Sequence, residues 1–495
     1  MSLFNELISK IIKTKKLTIY SLAMQTGIER SVLTKAFNGT RKLNIENFLK
    51  ILCVLNLTPE EDLKLRKEYI YYSIGEENYN SYINLLVLLC NNNSKNSAAN
   101  NGPRVNFSLD FPTSLIKINN KRDMLNTIEF VINCDKNSEN DYRRIYTNTT
   151  LPDFYDIMTN YPACEMGNLD FKRIILLDEG YKSESVDILF ETIKYMKLGY
   201  FTDFILTDAP LCKYPDIMFP FYLITSEYSV FMDSTFESGY VIKDKFQADI
   251  YANKFVDDIS PKATRYAFRY QHILEEKEVI FNLFKNGVDH LYYIGRNVSP
   301  IFCDYKTWKT IAKAEIPDKD FLLKIVDEHY SFISKATKKT THIYFKSAIE
   351  DFVDDGIIHE IPCEYADPLP VAERLKMLIA LKERILNSND EFYLIHNNVF
   401  GSEVTDCFCI YDNTKSGKQC CLSMAVNDGS DKTKYVGNFT CSISEESTVL
   451  NAVKFIKHLV ISGLCYTQAE SLDILDEQIE RCQLKAKLKK QFNKK

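Results

Sequence analysis

The sequence lacks a ready-made catalytic or metal-binding signature. Its seven histidines (His272, His290, His329, His342, His359, His396 and His458) form no His-x-x-x-His pair, and none sits beside a cysteine at ligand spacing. The nearest approach, His359 with Cys363, has Pro362 between the two and reads as a loop. The 14 cysteines include no Cys-x-x-Cys. Cys53, Cys90 and Cys134 lie in apolar or strand-like stretches, which predicts buried thiols kept reduced in a cytosol. Cys407 and Cys409 fall on one face of a strand with Cys420 nearby; no basic neighbour is there to activate them, so they read as small core residues. Gly-x-Ser-x-Gly, His-Glu-x-x-His and the kinase motif set are absent. Asp178-Glu179 could hold Mg²⁺ at a strand end only beside a phosphate loop. The nearest such loop, Ser416-Gly417-Lys418, has Asp412 where a glycine is needed and Gln419 in place of the final hydroxyl residue. No catalytic residue, metal or cofactor is therefore assigned, and the chain is expected not to be an enzyme.

No apolar run reaches the ~18 residues of a membrane span. The N-terminal Met-Ser-Leu-Phe-Asn-Glu has no signal-peptide core, so a cytoplasmic protein without a membrane partner is expected. Hydrophobic residues make up 45% of the 495, a globular composition. The net charge of −6 is unevenly spread. Residues 1–58 hold nine Lys/Arg against three Asp/Glu, a net of +6, which leaves −12 on the rest. Such a split suggests that the first segment meets a polyanion and the remainder does not.

The basic segment reads as short amphipathic helices. One, at about 2–14, offers Leu3, Leu7, Ile11 and Ile12 to a core. A second starts at Thr18, a good cap, with Leu22 inward and Ala23 where two helices cross closely. Gly27 suits the positive φ that turns a chain after a helix, and Ile28 plugs the core. A third runs from about Glu29 to Phe37, with Val32, Leu33, Ala36 and Phe37 inward and Arg30, Ser31, Thr34 and Lys35 outward. Ile45, Phe48, Leu49, Leu52 and Leu55 mark a closing helix. Ala23 and Gly27 four apart, Phe37-Asn38-Gly39 after the third helix and Leu43-Asn44 opening the next form a set. Together they resemble the lambda-repressor-like, Cro/XRE family of helix-turn-helix regulators over about residues 3–58.

That resemblance implies a double-stranded DNA partner and a third helix in the major groove. It places base reading on Arg30, Ser31 and Thr34, and phosphate contacts on Asn38 and Asn44. Lys35, Arg41 and Lys42 suit phosphates, and Arg30 suits guanine. Where the family often carries Gln after the residue that opens the second helix, this chain has Ile19; Tyr20, next to the capping Thr18, is the candidate replacement.

Residues 59–90 continue as helix from Thr58-Pro59-Glu60-Glu61, with a stripe at Leu63, Ile70, Ile74, Ile83, Leu86 and Leu89. The polar run 91–103 reads as a linker. Beyond it, strands are expected at 105–109, 173–177, 221–225, 229–232 and 239–242, followed by a helix at 245–256. Helices are expected at 318–336 and 370–387. Antiparallel strands follow at 392–395, 407–411, 421–424 and 435–439, then helices at 446–462 and 468–492. The two strand-rich blocks share Phe-Tyr-Leu-Ile and a general layout, and are not read as a repeat. Tyr195, Tyr200, Tyr222, Tyr228 and Tyr240 suit either a pocket for a small molecule or peptide, or an ordinary core.

The expected architecture is multidomain: an all-α helix-turn-helix head (1–58), a connecting helical segment (59–90), the linker (91–103), and an α+β body with antiparallel strand-rich blocks. The body divides into modules 104–310, a sensor, and 311–495, a sensor or dimerisation unit. The expected function is a homodimeric, sequence-specific transcriptional regulator of the repressor type, whose large body senses a small-molecule or peptide ligand or a partner, or mediates assembly. The alternative is an enzyme or defence effector with an autoregulatory head.

Overall fold

The computed structural model describes residues 2–492 except 91–114, 138–141, 150, 152, 162–165, 167, 178–185, 199, 201–204, 209–218, 260–263, 266, 271–277, 279–280, 282–286, 315, 317, 360–364, 397–406, 414–420, 427–438 and 444. The chain is multidomain, with a helical head followed by a mixed helix-and-sheet body.

The head begins with α1 (Leu3–Thr14), α2 (Ile19–Thr26), α3 (Arg30–Phe37) and α4 (Ile45–Leu55). Ser2 caps α1, Thr18 and Ser21 form a capping box on α2, and Asn44 caps α4. Gly27 ends α2 at φ +68°, the left-handed conformation that glycine enters without steric cost. α1 buries Ile11 and Ile12 as expected and packs Leu7 partly against the core, but Leu3 is exposed, and Phe4 and Ile8 take the fully buried places at its start. Leu49 and Cys53 of α4 are likewise exposed, because Phe48, Ile51, Leu52 and Leu55 take the inner face.

The predicted continuous helix at 59–90 is two, α5 (Pro59–Ile74) and α6 (Glu76–Cys90), broken at Gly75 with φ +83°. A boundary at residue 58 would cut one aromatic core. Tyr69 of α5 stacks on Phe48 with centroids 3.8 Å apart, Phe4 packs on Tyr69 and Tyr72 at 5.4 and 4.9 Å, and Tyr69 Oη donates to the Leu43 carbonyl.

Among the described residues the body contains two sheets. The first is built from β1 (Leu115–Ile118), β2 (Arg143–Thr147), β3 (Leu169–Leu177), β4 (Ile205–Asp208), β5 (Phe221–Ile224), β6 (Tyr228–Met232), β7 (Gly239–Lys243) and β8 (Thr264–Arg265), in the order 1-7-6-5-2-3-4-8. The second holds β9 (Ala267–Tyr270), β10 (His290–Gly295), β11 (Thr340–Phe345), β12 (Glu391–Ile395), β13 (Cys407–Asp412), β14 (Cys421–Val426) and β15 (Phe439–Ile443), in the order 9-15-14-13-10-11-12. With β8 set aside, the two orders are identical, strand for strand. The directions agree as well: β2, β3 and β4 are mutually parallel like β10, β11 and β12, and every other neighbouring pair is antiparallel in both sheets.

The helices follow the same plan. α7 (Lys121–Lys136), α8 (Asp153–Met158) and α9 (Asp187–Lys197) connect β1 to β4, and α10 (Lys245–Lys254) follows β7. In the second unit, α11 (Tyr305–Ile311) and α12 (Lys319–Ala336) connect β10 to β11. α13 (Lys346–Asp354) and α14 (Val371–Asn387) connect β11 to β12, and α15 (Glu446–Ile461) follows β15. An acidic N-cap opens the last helix of each unit. Asp244 accepts from the Phe246 and Gln247 amides, and Glu445 from those of Ser447 and Thr448. The body is thus one topology used twice, where the sequence suggested no repeat.

Sheet membership changes between Arg265 and Ala267, so the boundary expected near 310 is misplaced: β9 and β10 already belong to the second sheet. β12 pairs in parallel with β11, against the antiparallel expectation. β15 begins at Phe439, where the expected strand ends, and 427–438 lie outside the described residues, as do 105–109 and the linker 91–103.

A final helix, α16 (Gln468–Phe492), packs on α14 and β12. One hydrophobic core runs through the head, α6, α7, α9 and α15. The head is therefore packed onto the body.

Candidate nucleic-acid interface

α3 has a buried side, Leu33, Ala36 and Phe37, which places Arg30, Ser31, Lys35 and Asn38 in solvent with Thr34 half-buried. These exposures hold with the whole body in place.

Local hydrogen bonds fix what this face can offer. Thr34 Oγ1 donates to the Arg30 carbonyl at 2.9 Å, so its proton is committed to its own helix. Ser31 Oγ donates to Glu29 Oε1. Glu29 occupies the N-cap of α3 without capping it through its side chain. After α3, the Lys35 carbonyl accepts from the Thr40 amide (2.9 Å), the Thr40 hydroxyl (3.0 Å) and the Arg41 amide (3.2 Å). This tight turn passes through Gly39 at φ +76° and sets Arg41, exposed, just beyond the helix.

The other predicted residues surround this face in different ways. Thr18 and Asn44 spend an acceptor oxygen on the Ser21 and Asn47 amides, at 3.0 and 2.9 Å, with their side chains exposed. Tyr20 is 62% exposed on α2, one turn before the equally open Met24. Lys42 Nζ donates to the Ser73 carbonyl of α5 at 3.1 Å, a structural tie that sequence reading could not foresee. Ile19 packs against the core. Sequence reading also missed Glu29, because its bond to Ser31 is a matter of rotamers and leaves no trace in residue spacing.

In the body, the described residues contain no group of three or more potential metal ligands, and no helix among them is long and apolar enough to cross a membrane. The His359 backbone amide donates to Asn297 Oδ1 at 2.9 Å, and burial, with Arg296 second, holds its imidazole down to about 3. Cys363, Asp178-Glu179 and Ser416–Lys418 lie outside the described residues. The five tyrosines divide between two core clusters, Tyr195, Tyr200 and Tyr228 in one and Tyr222 with Tyr240 in the other. Tyr195 and Tyr200 pack on Phe171, Tyr222 lies against Phe255, Tyr228 against Phe130, and Tyr240 on Phe231.

Short helices joined through a left-handed glycine, with a polar and basic outer face on the second of them, define a helix-turn-helix. Residues 8–68 match the Cro/C1-type HTH DNA-binding domain, and the head is a domain of that family. The match runs into α5, in keeping with the shared aromatic core. No curated protein matches the chain. A solved structure, phosphatidylserine synthase of Haemophilus influenzae Rd KW20, aligns over 75% of this chain and 93% of its own at 10% identity. The TM-score is 0.23.

Proposed function

We propose that this chain is a cytoplasmic, sequence-specific transcriptional regulator that binds duplex DNA as a homodimer and is not itself an enzyme. The observation that carries the reading is the open outer face of α3 with the body present. Arg30 and Ser31 read base edges with Thr34 beside them, while Lys35, Asn38, Arg41 and Asn44 meet phosphates and Thr18 and Tyr20 approach the backbone from α2. Lys42, tied by its Nζ to the Ser73 carbonyl of α5, contributes charge from a fixed position.

A single head covers only a half-site, and two-fold operators need two heads about one DNA turn apart. The dimer contact lies outside the short head, in the body or on the open sides of α5 and α6. The duplicated body serves as the part that answers an effector, a small molecule or peptide, or that assembles the dimer. Capture of genomic fragments by the full chain, with and without cell extract, tests both halves of this reading. Enrichment of discrete palindromic sites supports it, and a change on adding extract supports effector control. Uniform recovery of all fragments contradicts it.

A further inference from the structure

The first turn of α3 carries two neighbouring groups of opposite hydrogen-bonding character. Arg30 is a pure donor, with five N–H groups and no acceptor. Beside it, Ser31 Oγ gives its only proton to Glu29 Oε1. The Glu29–Ser31 pair therefore shows the outside nothing but acceptors: the second carboxylate oxygen, the remaining lone pairs on the first, and those on the serine. Both residues are exposed, and among the described residues no cation forms an ion pair with the Glu29 carboxylate. It does not cap the helix either.

We propose that Glu29, oriented by Ser31, is a specificity-determining residue that selects cytosine. This rests on the reading of α3 as the recognition helix. In the major groove, cytosine offers only its N4 amine. Adenine sets its N7 acceptor beside the N6 amine, guanine offers two acceptors, and thymine offers O4 and a methyl group. An acceptor-only pair is attracted by the first of these edges, meets mixed chemistry at the second and is repelled by acceptors on the other two. A carboxylate also repels phosphate, so Glu29 lowers affinity for every non-cognate register and contributes discrimination by exclusion. With Arg30 on guanine O6 and N7, the start of α3 reads G and C through adjacent residues of opposite charge.

Selection from randomised duplex DNA with the full chain and its Glu29→Gln, Glu29→Ala and Ser31→Ala variants tests the assignment, with circular dichroism confirming that each variant folds. The wild type is expected to prefer cytosine by roughly tenfold at one position of each half-site. Glu29→Gln should move that preference toward adenine, whose N6 and N7 suit an amide. Glu29→Ala should erase it while leaving non-specific binding equal or stronger, and Ser31→Ala should blur it. Sequence-specific wild-type binding with the same preferences in Glu29→Ala overturns the cytosine assignment alone. A wild type that binds no duplex DNA overturns the assignment together with the reading of α3 beneath it.

Discussion

Arg66 of α5 donates its Nη1 proton to the carbonyl of Ile461, the last residue of α15, at 3.3 Å, joining positions 395 residues apart. The same guanidinium is steadied by Asp62 one turn earlier, Nε to Oδ2 at 2.6 Å. Around this bond, Ser73 Oγ meets His458 Nε2 at 3.4 Å, and Tyr82 of α6 packs against the rings of Phe455 and His458 at 5.5 and 5.7 Å. α15 is the closing helix of the second unit of the body, so the last part of the duplicated fold is in direct contact with the DNA-binding head. The orientation of the head follows from this packing as well as from the chain that leads out of α6.

Gly463 gives a direct handle on that contact. Its φ is +79°, and a Cβ there would fall 2.5 Å from Leu63 Cδ1 of α5. Gly463→Ala strains the backbone by about 1–2 kcal/mol and pushes Leu63 away from the turn after α15. The expected result is a lower melting temperature, together with faster amide exchange in 59–86 and 455–461 than in the first sheet. Unchanged exchange across α5 and α15 would mean that the two surfaces merely touch.

Acid should loosen the second unit before carboxylates titrate. His290 at the start of β10 is held down to about 4, chiefly by burial and then by Lys339. His359 is held down to about 3, again chiefly by burial. In the unfolded chain these imidazoles take up protons near pH 6.5. Between about pH 6.5 and 4 the unfolded state therefore binds more protons, so stability rises with pH across that window and is lost on acidification. Urea midpoints at pH 7 and pH 5 should show the drop, and His290→Phe should reduce it. A midpoint independent of pH over that range would contradict the assignment of buried, neutral imidazoles.

The head was legible because its signals are local. The Thr18 cap, the turn at Gly27 and the apolar side of α3 each lie within a few residues of what they determine, and all stand as read. The break at Gly75 leaves no mark in the apolar stripe, which continues on both sides of it. The duplication of the body was hidden for a different reason. The one shared tetrapeptide, Phe-Tyr-Leu-Ile, falls on β5 and β12, whose topological counterparts are β13 and β4 respectively. Strand order depends on long-range pairing, which residue spacing does not encode. The same limit made β12 look antiparallel, since a buried parallel strand and a buried antiparallel one share an apolar pattern.

Arg30 should matter for sequence preference more than for binding in general. Arg30→Ala removes an exposed side chain that makes no core contact, so the fold should persist. Loss of one bidentate guanine contact costs about 1–3 kcal/mol against the cognate site and little against random DNA. Titrating both DNAs with the variant measures the two losses separately. Equal losses on cognate and random DNA would make Arg30 a phosphate contact.

The most direct test of the central claim is the salt dependence of DNA binding by the 495-residue chain. The first 58 residues carry a net +6, and Arg30, Lys35 and Arg41 are exposed on or beside the outer face of α3. Several phosphate contacts release a matching number of counterions, so affinity for duplex DNA should fall roughly tenfold or more between about 50 and 200 mM salt. A steep linear decline of log affinity with log salt is the predicted result. A flat profile, or no binding at the lowest salt, would contradict the account.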